Sequence, residues 1–207
     1  MSRWRRGVIA LALLLAAVLV LALAAVAAGV SIDASPWRDT AARHASTALG
    51  RPVALDGALR VTLGRRLVLH IANVRVLSPA GFEAAELAAL GQAAIGFDLL
   101  DLLRGIARPR SIDATDLSLH LERGADGRGN WMPQTPSAPG ASAADLDIPE
   151  VRIERARVQY HDVRAGTRRV VELTTLSATA AENEGLRVAL QGRIDASPIV
   201  KLQFEGG

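Results

Sequence analysis

Two kinds of residue are scarce in this sequence, and each scarcity excludes a class of protein. Cysteine is absent from the 207 residues, so the fold does not depend on disulfide bonds and its stability has to come from packing and backbone pairing. Aromatic residues make up only 3% of the chain, whereas platforms that stack nucleic-acid bases need aromatic side chains. The formal net charge is +3, but Arg3, Arg5 and Arg6 account for that excess. The rest of the chain is close to neutral, and we expect no nucleic-acid partner.

Residues that commonly act in catalysis, metal binding or phosphate binding also lack the arrangements that these functions require. None of the four histidines has a second ligand at a recognisable metal spacing within its own segment. Ser118 lies near His120 in a repetitive strand rather than in a strained turn, and no Lys-Ser or Lys-Thr pair follows the glycine-rich segment at residues 124–129. We therefore expect no metal, no cofactor and no enzymatic activity. The four histidines are His44, His70, His120 and His161.

The most prominent feature that is present is an apolar run over residues 8–30, which holds no charged or polar side chain. As a helix it would be roughly 35 Å long, enough to cross a hydrocarbon core of about 30 Å. Arginines precede the run and none follows it directly, so the N-terminus is expected to stay in the cytoplasm. The alternative is a cleavable signal peptide with small-x-small sites at residues 22–24 or 25–27. In both cases the remainder of the chain is exported.

This run divides the chain into two parts. Residues 1–33 would form the cytoplasmic tip and transmembrane anchor, and residues 34–207 would form one exported domain. A stretch of that length is enough for a single domain with its own core and short for two.

Helices are expected in two places of the exported part. Ser35 as a cap, Pro36 at the first helical position and Gly50 after the end indicate a short amphipathic helix over residues 35–50. A second short helix is expected over residues 98–105, ended by Gly105.

The rest of the exported part alternates between apolar and polar residues, which is typical of strands with one buried face. Asp56-Gly57 is either a turn between two short strands or a bulge in one long strand, and a change of parity around Asn73 indicates a bulge. Residues 132–147 are rich in Pro, Ser and Ala and predict a flexible loop. The pattern as a whole predicts a mainly β fold, a curved antiparallel meander. Its strands are expected at residues 53–63, 67–77, 88–97, 111–123, 151–162, 167–180, 186–194 and 199–204.

Several segments occur in an order that resembles the N-terminal region of the AsmA family. After the basic start and the apolar run come GRPVALDG at residues 50–57, GFDLL at 96–100 with LLRG at 102–105, and GNW at 129–131 before the Pro-rich loop. The resemblance covers roughly residues 1–165. Family members generally continue far beyond the length of this chain, so the expectation is a truncated gene model, a fragment or a minimal relative.

The resemblance implies a single-pass inner-membrane protein of a Gram-negative bacterium with its β-rich domain in the periplasm. It also implies a fold related to chorein-type bridge-like lipid transfer proteins, whose long sheet curls into a gutter lined with apolar side chains. Such proteins are linked with outer-membrane biogenesis and phospholipid transport, so the expected partners are membrane phospholipids. The alternative is an assembly factor for outer-membrane proteins that acts through contacts with other envelope proteins.

The apolar parity of the predicted strands supplies candidate residues for such a groove. The alternative is that the same face is a closed core beneath a helix, as in any half-buried sheet. The candidate lining residues are Val53, Leu55, Leu59, Val61, Leu67, Leu69, Leu117, Leu119, Leu121, Leu186, Val188 and Leu190.

Overall fold

The computed structural model describes residues 29–132, 148–181, 185–195 and 200–206. Two α-helices, α1 (Arg38–Leu49) and α2 (Leu99–Leu103), and a 3-10 turn at Ser35–Trp37 accompany a set of strands. The strands are β1 (Val30–Asp33), β2 (Val53–Leu55), β3 (Leu59–Leu63), β4 (Leu67–Leu77), β5 (Glu86–Phe97), β6 (Pro109–Arg123), β7 (Glu150–Asp162), β8 (Thr167–Ala181), β9 (Gly185–Ile194) and β10 (Val200–Gly206).

All of these strands belong to one open, curved, 10-stranded sheet, which confirms the prediction of a mainly β fold. The strand order is β1-β3-β4-β5-β6-β7-β8-β9-β10, and β2 pairs with the far end of β4 beyond β3. Consecutive strands are therefore neighbours across most of the sheet, as expected of a meander.

The predicted antiparallel meander is interrupted at one place, because β6 and β7 pair in parallel. Residues 124–149 connect them, and a parallel pair needs a connection of a dozen residues or more to return the chain to the starting edge. Both strands alternate in the same way whichever direction they run, so the alternation carried no information about direction. The length of the connection did carry that information.

The first predicted helix is confirmed with a change at its beginning. A 3-10 turn comes first, and Ser35 does not cap α1; its hydroxyl contacts the backbone of Leu59 instead. The helix ends as expected at Gly50, which adopts the left-handed conformation with φ 63°. The Ser46 hydroxyl accepts a hydrogen bond of 2.9 Å from the Val53 backbone N–H and so attaches α1 to β2. Helix α2 confirms the second prediction, with Asp98 as its cap.

Two of the predicted segments fall wholly or largely outside the described residues. The proposed membrane span lies there except for its last two positions, and the proposed loop at residues 132–147 does so except for Met132. Within the described parts of the chain, neither helix has the length and hydropathy needed to cross a bilayer. Val30–Asp33, at the end of the apolar run and just after it, forms β1 and pairs with β3.

A line of irregular residues crosses the sheet at mid-length, and we call it the bulge row. Its members face one another on adjacent strands, and each is skipped by the regular cross-strand pairing. Asn73, Asp116 and Arg155 have positive φ values of 49°, 58° and 54°, a conformation uncommon for residues other than glycine. The bulge predicted at Asn73 is thus confirmed as one part of a longer feature. The bulge row comprises Asn73, Gly91, Asp116, Arg155 and Thr174.

Candidate functional site

Cross-strand partners lie on the same face of a sheet, so the register of pairing shows which side chains share a surface. On one side of the bulge row, two chains of partners run across eight strands and contain only apolar residues. Row 1 is Val61, Leu69, Ile95, Ile112, Val151, Ala178, Val188 and Phe204. Row 2 is Leu59, Ile71, Ala93, Ala114, Ile153, Leu176, Leu190 and Leu202.

Two further rows cross the sheet on the other side of the bulge row. They are apolar as well, apart from a single glycine. Row 3 is Leu55, Val74, Leu90, Leu117, Ala156, Leu173, Gly192 and Val200. Row 4 is Val53, Val76, Ala88, Leu119, Val158, Val171 and Ile194.

The bulge row keeps all four rows on one face. Ile71 and Val74 are three positions apart, and in a regular strand they would point to opposite faces. Strand β9 settles the actual arrangement, because Leu190 of row 2 and Gly192 of row 3 are two positions apart, the spacing of residues on one face. Each irregular residue therefore resets the alternation of its strand. The four rows form one continuous surface, which we call the apolar face.

Every candidate lining residue named from the sequence lies on this face. Nine of them are members of rows 1 to 4. The other three, Leu67, Leu121 and Leu186, lie two positions along their strands from Leu69, Leu119 and Val188. The contributions of β5, β7, β8 and β10 were not among these candidates, although the alternation of β7 and β8, with Val158 and Leu176, was visible in the sequence.

The apolar face remains partly open to solvent in the described structure. Its buried members are Leu59, Ala93, Ala114, Ala156 and Gly192, which flank the bulge row. Most other members are half-buried, and exposure rises toward β10, where Phe204 is 63% exposed. Helix α1 contacts β2 near one edge. The described residues thus contain no helical layer over the central strands.

The opposite face is polar and crossed by ion pairs between strands. Arg155 of β7 donates two hydrogen bonds, of 2.7 and 3.0 Å, to Asp116 of β6. Glu172 of β8 lies between Arg193 and Arg157. The hydrogen bond from Arg193, with the positive charge of both arginines, lowers the pKa of Glu172. These groups are hydrated, so they mark the solvent side of the sheet more than they stabilise it.

The pairing of Asp116 with Arg155 predicts a defined response to acid. The hydrogen bond from Arg155 lowers the pKa of Asp116 below its ordinary value of 3.8, so the folded state binds fewer protons there than the unfolded state. The contribution of this pair to the stability of the folded state is fully present above pH 3.8 and is lost as the pH falls through the lowered pKa of Asp116. We expect Asp116→Asn to show a smaller loss of melting temperature than the unmodified protein between about pH 6 and pH 3.

Asp113→Asn provides the matched control for this prediction. Asp113 is also an exposed aspartate of β6, and the described structure gives it no ion pair. This variant should keep the acid response of the unmodified protein. An unchanged acid response in Asp116→Asn would show that the pair does not contribute.

One group of side chains on the polar face has the composition of a metal site. Single ligand atoms of Glu83, Glu122 and His161 lie within 4.8 Å of one another. The Glu122 carboxylate, however, already accepts hydrogen bonds from the backbone N–H groups of Glu83 and Ala84, at 2.9 and 3.3 Å. Glu83 in turn pairs with Arg168 at 3.2 Å. These hydrogen bonds and the ion pair show that the group links β6, β7 and the β4–β5 connection. The spacing of the three residues in the sequence could not have revealed this cluster.

Comparison with known proteins gives one positive result. The family model described as the AsmA family matches residues 4–199, which is nearly the whole chain and includes all the strands from β1 to β9. Comparison with curated proteins gives no significant match. The extent of the family match, together with the segments at residues 50–57, 96–105 and 129–131, shows that this chain belongs to the AsmA family.

Proposed function

We propose that this protein is anchored in the inner membrane by residues 8–30 and that its periplasmic sheet binds phospholipids and lets them pass along the apolar face. One observation carries the proposal: four apolar rows cross the sheet, and over its central strands no helix of the described structure covers them. An open apolar surface of this continuity normally binds an apolar partner. The family supports the same role, since envelope lipid transport is what membership implies.

The energetics favour such a surface for lipid movement. Exposing a chain of about sixteen methylenes to water costs on the order of 13 kcal/mol, at about 0.8 kcal/mol per methylene. Side chains of rows 1 to 4 can replace water around an acyl chain at every position along a row, because neighbouring strands are only about 4.8 Å apart. Since no position differs strongly from the next, the lipid would not be held in one place.

The direct test places a photoreactive amino acid at two neighbouring positions of one strand in the full-length protein. Leu119 belongs to row 4, whereas Ser118 pairs with Arg157 on the polar face, and both side chains are half-buried. We expect phospholipid adducts at position 119 and none at position 118 after irradiation of cells, read by mass spectrometry. Val188 and its polar-face neighbour Ala189 form a second matched pair on β9.

The outcomes separate the proposed function from its alternative. Adducts to envelope proteins at position 119, without lipid, would favour the assembly factor. Equal lipid yield at positions 118 and 119 would mean that lipid contact is not specific to the apolar face. A Leu119→Asp and Val188→Asp double variant should lose most of the lipid adduct at Leu176, which lies between them on β8, while its circular dichroism stays unchanged.

The proposed location has a separate test. A reporter that is active only in the periplasm, fused after Phe204, is expected to be active. Activity of a cytoplasmic reporter at the same site would overturn both the orientation and the proposed route.

A further inference from the structure

One end of the sheet carries a surface unlike the rest, and we call it the basic tip. It is built by the β3–β4 turn and by the segment from α2 to the start of β6, which meet because Leu67 pairs with Phe97 and Phe97 with Pro109. None of its residues belongs to rows 1 to 4 of the apolar face. The basic tip comprises Arg65, Arg66, Leu100, Leu103, Arg104, Ile106, Arg108 and Arg110.

Two apolar side chains of the basic tip are among the most exposed of the described structure. Leu103 is 79% exposed and Leu100 is 62% exposed, and both lie on the short helix α2. Ile106 follows at 39%. Three large aliphatic side chains grouped at one loop end are costly to leave in water. This arrangement indicates a surface that inserts into, or is covered by, an apolar phase.

The charges of the basic tip are strongly unequal. Five arginines are accompanied by two aspartates within the same segments, Asp98 and Asp101. Asp98 caps α2, and Asp101 pairs with Arg110 at 3.0 Å and with Arg104 at 3.7 Å. The described structure gives no ion pair for the exposed Arg65, Arg66 and Arg108. An excess of three positive charges beside exposed leucines is the composition of a segment that binds an anionic membrane surface.

The position of the apolar run agrees with this composition. β1 begins at Val30, which pairs with Leu63 immediately before the β3–β4 turn, and Gly29 lies beside Thr62. The chain thus enters the sheet from residues 8–28 at the same end that carries Arg65 and Arg66. A bilayer that holds the apolar run would therefore lie next to the basic tip.

We propose that the basic tip docks onto an anionic phospholipid bilayer, with Leu100, Leu103 and Ile106 in the interfacial region and the arginines against the headgroups. The inference rests on the proposed anchor for the position of the membrane, but it does not require that the apolar face carries lipid. Docking would hold the strands at a fixed angle to the bilayer, and the ends of rows 1 and 2 at β3 would lie near its surface.

The absence of cysteine makes a clean labelling experiment possible with the full-length protein in lipid nanodiscs. A nitroxide is attached at Leu103→Cys and, for comparison, at Val163→Cys. Val163 is likewise an exposed aliphatic residue in a turn, 42% exposed, but it follows β7 at the opposite end of the sheet, roughly 40 Å away. In discs that contain phosphatidylglycerol, we expect the label at 103 to be several-fold less accessible to a water-soluble nickel relaxant and more accessible to oxygen than the label at 163.

The charge requirement is tested with two matched double variants. Arg65→Glu with Arg66→Glu should return the label at 103 to the accessibility of the label at 163, since each arginine contributes about fivefold to binding at an anionic surface. Arg128→Glu with Arg164→Glu reverses two exposed arginines at the opposite end of the sheet and should change nothing. Discs of phosphatidylcholine alone should weaken the docking in the unmodified protein.

Each other result has a definite meaning. The protein could associate with the discs while its label at 103 remains as accessible to nickel as the label at 163. This result would overturn the docking and leave the proposed anchor intact. A chain that does not associate with the discs overturns the anchor and the inference together. A label at 103 that is shielded from both nickel and oxygen would assign the basic tip to a protein contact and also overturn the proposal.

Discussion

Replacing Asn130 with alanine is expected to lower the free energy of unfolding by about 3 kcal/mol, the effect of leaving buried hydrogen-bonding groups without partners. Asn130 is fully buried, at 0% exposure. Its side-chain oxygen accepts a hydrogen bond of 3.0 Å from the Glu122 backbone N–H, and its amide nitrogen donates one of 2.7 Å to the His120 carbonyl. Alanine would leave both backbone groups without these partners.

Ser78→Ala is the control for this prediction, and equilibrium denaturation in urea is the measurement. Asn130 also donates a hydrogen bond to the Ser78 hydroxyl, but that bond is long, at 3.4 Å. Removing the hydroxyl should therefore cost less stability than removing the Asn130 amide. We expect Ser78→Ala to cost less than about 1 kcal/mol. Similar losses in the two variants would show that the backbone partners of Asn130 find water and that the cluster is not tightly packed.

Asn130 belongs to a polar cluster that closes the end of the sheet opposite the basic tip. Arg51, only 9% exposed, donates hydrogen bonds to the backbone carbonyls of Asn130 and Met132. The cluster thereby ties the α1–β2 connection to the loop after β6. Arg51 and Asn130 both lie in the segments that carry the family resemblance, GRPVALDG and GNW. In this chain these two motif residues hold loops together through hydrogen bonds.

Much of the fold followed from alternation, because a strand with one apolar face leaves a period of two in the sequence. That signal predicted β4 at residues 67–77, the bounds that the structure shows, and all twelve candidate lining residues lie on one face. It could not give the parallel pairing of β6 with β7, since alternation has no direction. Nor did it give β1, because its first residue, Val30, belongs to the apolar run and only three residues of the strand lie beyond that run.

The bulge row was visible in the sequence only in part. The change of parity at Asn73 was recognisable because apolar residues flank it on both sides. At Asp116 and Arg155 the same signal was present, but a charged residue in a strand can equally be a solvent-facing position. Only the pairing shows that these residues align, since it joins positions that are distant in sequence. The basic tip was missed for a similar reason, because residues 65–66 and 100–110 come together through β4 and β5.

Replacing Gly57 with alanine is expected to cost about 2 kcal/mol of stability, mostly by separating β2 from β4. A Cβ at this position would lie 2.5 Å from the carbonyl oxygen of Ala72 and 2.7 Å from its Cβ. Both are closer than van der Waals contact allows, and the obstacle is backbone that cannot rotate away. Overpacking of this kind typically costs 1–3 kcal/mol. Alanine would otherwise be favoured over glycine, because glycine loses more conformational freedom on folding, so a net loss is diagnostic.

Gly96→Ala separates this effect from a general intolerance of added volume in the sheet. A Cβ at position 96 would also meet an atom at 2.5 Å, but that atom is the Ser111 hydroxyl, which can rotate, and the next neighbour is at 3.7 Å. We expect a loss below about 1 kcal/mol there. Hydrogen exchange gives the local readout: Gly57→Ala should accelerate exchange in Val53–Leu55, because Asp56 and Gly57 bond to β4 through Asn73 and Ala72. Unchanged hydrogen exchange in β2 would mean that the backbone of β4 shifts to make room for the added Cβ. The interruption at Asp56-Gly57 would then be a tolerant turn rather than the point where the bulge row reaches the edge of the sheet.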